Sequence, residues 1–62
     1  MLHIIFYGYK WKAFADLSKK ALKASQDKSV VMQFAIDYYI KNDVDLCVHN
    51  KDASVDFRLR KL

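Results

Sequence analysis

The chain has 62 residues, 53% of them hydrophobic, with four Phe, four Tyr and one Trp but one Gly and no Pro. That length holds a single domain, residues 1–62, and the composition excludes a disordered chain, which needs low hydrophobicity. Eleven Lys and Arg stand against seven acids, all Asp, for a net charge of +4; this permits attraction to a polyanion or an acidic protein without requiring either.

Cys47 is the one cysteine, so no intrachain disulfide forms, and cytoplasmic residence is the simpler expectation. The hydrophobic start is too short and too aromatic for a secretory leader, and Lys10 and Lys12 follow it rather than precede it. No stretch approaches the ~20 apolar residues of a membrane span.

Residues 2–9, LHIIFYGY, read as a strand. Leu2, Ile4 and Phe6 share one face, and His3, Ile5 and Tyr7 the other. Both faces are bulky, which predicts a central or doubly covered strand. Gly8 stands where the strand must end and the chain turn.

Residues 11–25 carry a helical pattern. Trp11, Phe14, Leu17, Ala21 and Leu22 form one stripe, with Lys12, Asp16, Lys19, Lys20 and Lys23 opposite. SQDKS at 25–29 is a break, and Asp27 or Ser29 is the expected N-cap of a second helix over 29–42. That helix has one polar stripe, Gln33, Asp37 and Lys41, and is apolar around the rest of its circumference. A helix so apolar needs contacts on several sides, more than one sheet and one neighbouring helix supply.

Residues 44–49 alternate, with Val44, Leu46 and Val48 against Asp45, Cys47 and His49. Residues 54–60 do the same, with Val55, Phe57 and Leu59 against Asp56, Arg58 and Arg60. NKDA between them supplies a turn, so a hairpin with one wet face is expected. The fold these elements predict is α+β in the order β-α-α-β-β, a three-stranded, mainly antiparallel sheet with two helices packed on one face.

The chain shows no catalytic signature. His3, Cys47 and His49 fall on the predicted open sheet face, but their spacing matches no metal motif and no fourth ligand is evident, so no metal or other cofactor is assigned. Cys47 beside His49 lacks a third, orienting group for nucleophilic work. No enzyme is expected. The cluster IFYGYKWK places Phe6 and Trp11 inside and leaves Tyr7 and Tyr9 open for contact. With Lys10, Lys12, Lys19, Lys20 and Lys23 these tyrosines make an alternative, basic nucleic-acid-binding surface.

IIFYGY, a hydrophobic strand ending in aromatic-Gly-aromatic before a helix, and QFA at 33–35 in a second helix resemble the small Dmd antitoxins of T-even-like phages. The resemblance covers about a fifth of the chain. It implies a small protein that binds and silences a host RNA-cleaving toxin. Ser29 and Val30 stand where that family places a toxin-contacting tryptophan, and Tyr38 where it has a toxin-contacting asparagine, so no functional residue carries over.

The function expected is therefore a small protein-binding inhibitor, of phage antitoxin or anti-defence type, that covers a functional surface of a larger protein such as a host nuclease or toxin. Met32, Ile36, Tyr38, Tyr39, Ile40, Arg58 and Arg60 are the expected contacts, residue types favoured at interfaces. A homodimer through the second helix or a sheet edge is compatible with either reading.

Overall fold

A computed structural model of the chain describes residues 1–15 and 20–60. The described elements are β1 (Leu2–Tyr7), β2 (Lys10–Ala15), β3 (Lys23–Ser25), α1 (Lys28–Lys41), β4 (Leu46–His49) and β5 (Val55–Leu59). They form a five-stranded mixed sheet in the order β3-β2-β1-β4-β5, with the helix on one face. This corrects the expected three-stranded, two-helix fold.

The first divergence is at Gly8. Its φ of +69° and the Tyr7–Lys10 pairing make Gly8-Tyr9 a two-residue hairpin turn with glycine first, the arrangement whose twist matches the flanking strands. The chain therefore folds straight back on β1. Trp11 and Ala13 become buried positions of a period-2 pattern, with Lys10, Lys12 and Phe14 between them. Over KWKAFA the helical and strand patterns both fit, and the tight turn selects the strand by delivering it in register. Six pairs, from Leu2–Ala15 to Tyr7–Lys10, hold it there. The strand-then-helix order behind part of the Dmd resemblance is thus a strand followed by a strand. β3 then adds to β2, and the Leu22 amide donates to the Ala13 carbonyl at 2.7 Å. Leu17 of the expected stripe, with Asp16 and Lys19, lies outside the described residues.

With one helix where two were expected, the return to the sheet changes sense. β4 runs parallel to β1, pairing Leu2–Leu46, His3–Cys47 and Ile4–Val48, instead of antiparallel. β1 is central, as its two bulky faces required.

The helix begins as expected. The Asp27 carboxylate accepts from the Ser29 amide at 3.0 Å and the Ser29 hydroxyl at 2.8 Å. It ends where Asn42 donates to the Tyr38 carbonyl from both its backbone amide, at 2.9 Å, and its side chain, at 3.0 Å. α1 lies across β1, β2 and β3. Val31 and Ala35 close on Leu2, Ile4, Trp11, Ala13, Leu46 and Val48, all nearly or fully buried, with Phe6, Met32, Phe34, Tyr38 and Tyr39 around them. Because the helix sits over that half, β5 is left open. Val55, Phe57 and Leu59, expected inside, are exposed, and Cys47, expected on the wet face, is buried. A bulge sets Val48 opposite Phe57 but His49 opposite Val55, leaving Asp56 as the extra residue of this edge strand. Among the described residues, no helix is long and apolar enough to cross a membrane.

Candidate functional site

Two faces of the sheet carry different chemistry. On the face away from the helix, alternation along β1 and β4 and the His3–Cys47 pairing bring His3, Cys47 and His49 together. Their donor atoms all lie within 4.8 Å of one another. The imidazoles stack loosely, with centroids 5.8 Å apart and planes 27° apart. Cys47 Sγ is 3.5 Å from His49 Nε2, and His49 Nδ1 is 3.3 Å from the carbonyl oxygen of Ala53. The sequence placed the three residues on one face but not in contact. Contact requires β4 to lie directly beside β1, which the expected topology did not supply. Arg58 is paired with Cys47 from β5, on this open face and away from the helix.

The β1–β2 turn presents the second feature. Among the described residues, Tyr7 and Tyr9 are the most exposed large hydrophobic side chains, at 68% and 67%. Lys12 Nζ stands 5.2 Å from the Tyr7 ring centroid and Lys10 Nζ 5.5 Å from that of Tyr9. With Gly8, Ala21 and Ala24 they line a hollow of about 410 Å³. The other lysines of the expected basic helix face do not join them as one surface. Lys23 pairs with the buried Ala13 and lines a separate hollow of about 530 Å³ with Val30, Gln33, Phe34 and Asp37; Lys20 is exposed; Lys19 lies outside the described residues. Phe6 and Trp11 pack edge to face at 5.0 Å, so they anchor the core as expected.

On the helix side, α1 reaches the last strand through two side-chain contacts. Lys28 Nζ lies 3.7 Å from the Asp56 carboxylate at the start, and the Tyr39 hydroxyl donates to the Arg60 carbonyl at 3.1 Å at the finish. Met32, Ile36, Tyr39 and Ile40 follow helical spacing, so the Tyr39 contact turns that whole stripe toward β5. Phe57 and Leu59 face it from the strand, since their partners Val48 and Leu46 are core residues beneath the helix side. Between the two contacts apolar side chains stay in water: Ile40 is 66% exposed, Ile36 41% and Phe57 39%. Met32 and Tyr39 are half-buried against the core. Tyr38 stands apart with its ring 5.9 Å from that of Phe34, and Arg60 lies exposed beyond β5. Of the seven expected contacts, Met32, Ile36, Tyr39 and Ile40 thus share one side of the helix, the Arg60 carbonyl meets Tyr39, and Tyr38 and Arg58 lie elsewhere. Phe57 and Leu59 were missed because alternation assigned them to the core.

The resolved carboxyl shifts belong to turns. Hydrogen bonds from the Ser29 side chain and amide hold Asp27 below its ordinary value, and those from Ser54 do the same for Asp52. Both carboxylates are exposed, so these shifts mark caps rather than a reaction centre. Compared with protein-family models, curated proteins and solved structures, the chain matches none of them.

Proposed function

We propose that the protein is a small non-enzymatic binding module that docks on a larger protein and covers a functional surface of it. The observation that carries this reading is the exposure of Ile36, Ile40 and Phe57 between the two contacts of the helix with the last strand, a surface read here as one docking groove. A 62-residue domain has little apolar surface to spare. Leaving Ile36, Ile40, Phe57 and Leu59 in water is costly unless a partner covers them. Arg60 stands beyond the strand at one end and Lys28 is held against Asp56 at the other, so the partner presents apolar side chains with a carboxylate placed to meet Arg60. A host RNA-cleaving toxin, the partner that the Dmd resemblance implies, is the class proposed.

The test is capture by the tagged chain from nuclease-treated lysate, run beside two variants. The expected result is one protein held in stoichiometric amount by the native chain and by Tyr7→Ala, and lost with Ile40→Asp. Equal capture by Ile40→Asp would exclude the groove as the docking site.

The Tyr7–Tyr9 hollow supports a second reading, a single-stranded nucleic acid whose bases stack on the tyrosines. It predicts binding lost in Tyr7→Ala and a shallow salt dependence, with a log–log slope of roughly −1 to −2 for the two phosphates within reach of Lys10 and Lys12.

A further inference from the structure

The chain contains two histidines and one cysteine, and the fold gathers all three. His3 comes from the first strand; Cys47 and His49 come from the fourth, more than forty positions later. We propose that His3, Cys47 and His49 form a binding site for one Zn²⁺-class divalent cation, with three protein ligands and a fourth position open to water or to a group on a partner.

The donor set suits that ion. Zn²⁺ takes thiolate sulfur at about 2.3 Å and imidazole nitrogen at about 2.0–2.1 Å in a tetrahedral array, which sets donors roughly 3.4–3.6 Å apart. Cys47 Sγ and His49 Nε2 already stand 3.5 Å apart. The widest separation in the triad, 4.8 Å, closes by about 1 Å, a movement within reach of side-chain torsions and requiring no change in the strands.

The outer contacts are also those of a metal site. A carbonyl oxygen only accepts, so the 3.3 Å contact with Ala53 places the proton of His49 on Nδ1. That leaves the Nε2 lone pair directed at Cys47. An imidazole whose second nitrogen is fixed by a backbone carbonyl is the usual support of a metal-bound histidine. Binding forms the metal–sulfur bond as the Cys47 thiol releases its proton to water, and the neutral imidazoles donate lone pairs without losing one. Three protein ligands with one position open is the arrangement of catalytic and bridging zinc sites, whereas purely structural sites close all four.

Arg58, paired with Cys47 from β5, is the nearest fixed cation named by the strand register. It opposes a metal ion's charge, so Arg58→Gln should bind more tightly than the native chain.

The experiment uses the full chain, free of any histidine tag, reduced and stripped with chelator. Co²⁺ is titrated in as the spectroscopic probe and displaced with Zn²⁺. The expected result is saturation at one equivalent with thiolate-to-cobalt charge transfer and tetrahedral d–d absorption. Cys47→Ser should abolish the charge-transfer band. His3→Ala and His49→Ala should each weaken binding by more than the roughly 10- to 100-fold that outer-shell changes cost. Because Cys47 is buried and its variant can fail to fold, the native chain is also followed by NMR, where one equivalent of Zn²⁺ should shift both imidazole spectra together. Unmoved imidazole resonances, or Co²⁺ binding as tight in His3→Ala as in the native chain, would overturn the site.

Discussion

At the scale of single residues, two backbone positions among the described residues lie in the left-handed region, and their side chains are of opposite suitability. Gly8 at φ +69° has the residue that the turn wants, while Ala53 at φ +74° carries a Cβ there. A Cβ built on Gly8 meets nothing within 4 Å, so Gly8→Ala is strained by torsion alone. The left-handed penalty for an L-residue is about 1–2 kcal/mol, offset in part by the roughly 0.5–1 kcal/mol of extra chain entropy that glycine loses. The expected outcome is a pair of opposite shifts in urea unfolding, each about 0.5–1 kcal/mol: Gly8→Ala less stable, Ala53→Gly more stable. The same sign for both would show that some contact other than torsion governs one of the turns. Ala53 also closes the Asn50–Ala53 turn at 3.0 Å and offers its carbonyl to His49, so the relaxed variant keeps the contact that orients the ring.

At the scale of elements, a signal that stood alone placed its element but not always its burial, since alternation put the exposed Val55, Phe57 and Leu59 inside. α1 has Asp27 before it and Asn42 after it, and its expected and observed limits differ by one residue. The β4–β5 hairpin was likewise legible from two alternating runs around NKDA. KWKAFA failed because Trp11 and Phe14 fit a helix while Trp11 and Ala13 fit a strand; only the Gly8 turn, a tertiary event, separates them. The apolar excess expected on the second helix leaves Val30, Ile36 and Ile40 exposed. The cap itself gives a pH prediction. Hydrogen bonds from Ser29 hold Asp27 below the ordinary carboxylate value of 3.8. A depressed folded-state value stabilises the native chain above that ordinary value, and the contribution fades as pH falls through the folded-state value. Thermal unfolding should therefore show Asp27→Ala melting several degrees below the native chain at pH 7, with the gap narrowing below about pH 4. A gap that persists unchanged to pH 2 would assign the loss to something other than the ionised cap.

At the scale of the whole molecule, the governing fact is scarcity of apolar burial. Domains below about 70–80 residues rarely hold more than 3–5 kcal/mol. Leu46 is fully buried where β4 meets β1, and Leu46→Ala removes about 2–5 kcal/mol by lost transfer and cavity terms. That change alone is of the order of the total, so the variant should be largely unfolded by circular dichroism at 25 °C. Ile40→Ala removes as large a share of a side chain, but the residue is 66% exposed, and the change should fall within about 0.5 kcal/mol of the native chain. The contrast matters more than either value. If Ile40→Ala proved as damaging as Leu46→Ala, the groove would belong to the core and could not be a docking surface. Near-neutrality instead means that the chain keeps a large aliphatic side chain in water with no return in its own stability, and the return is then to be sought in what the groove holds.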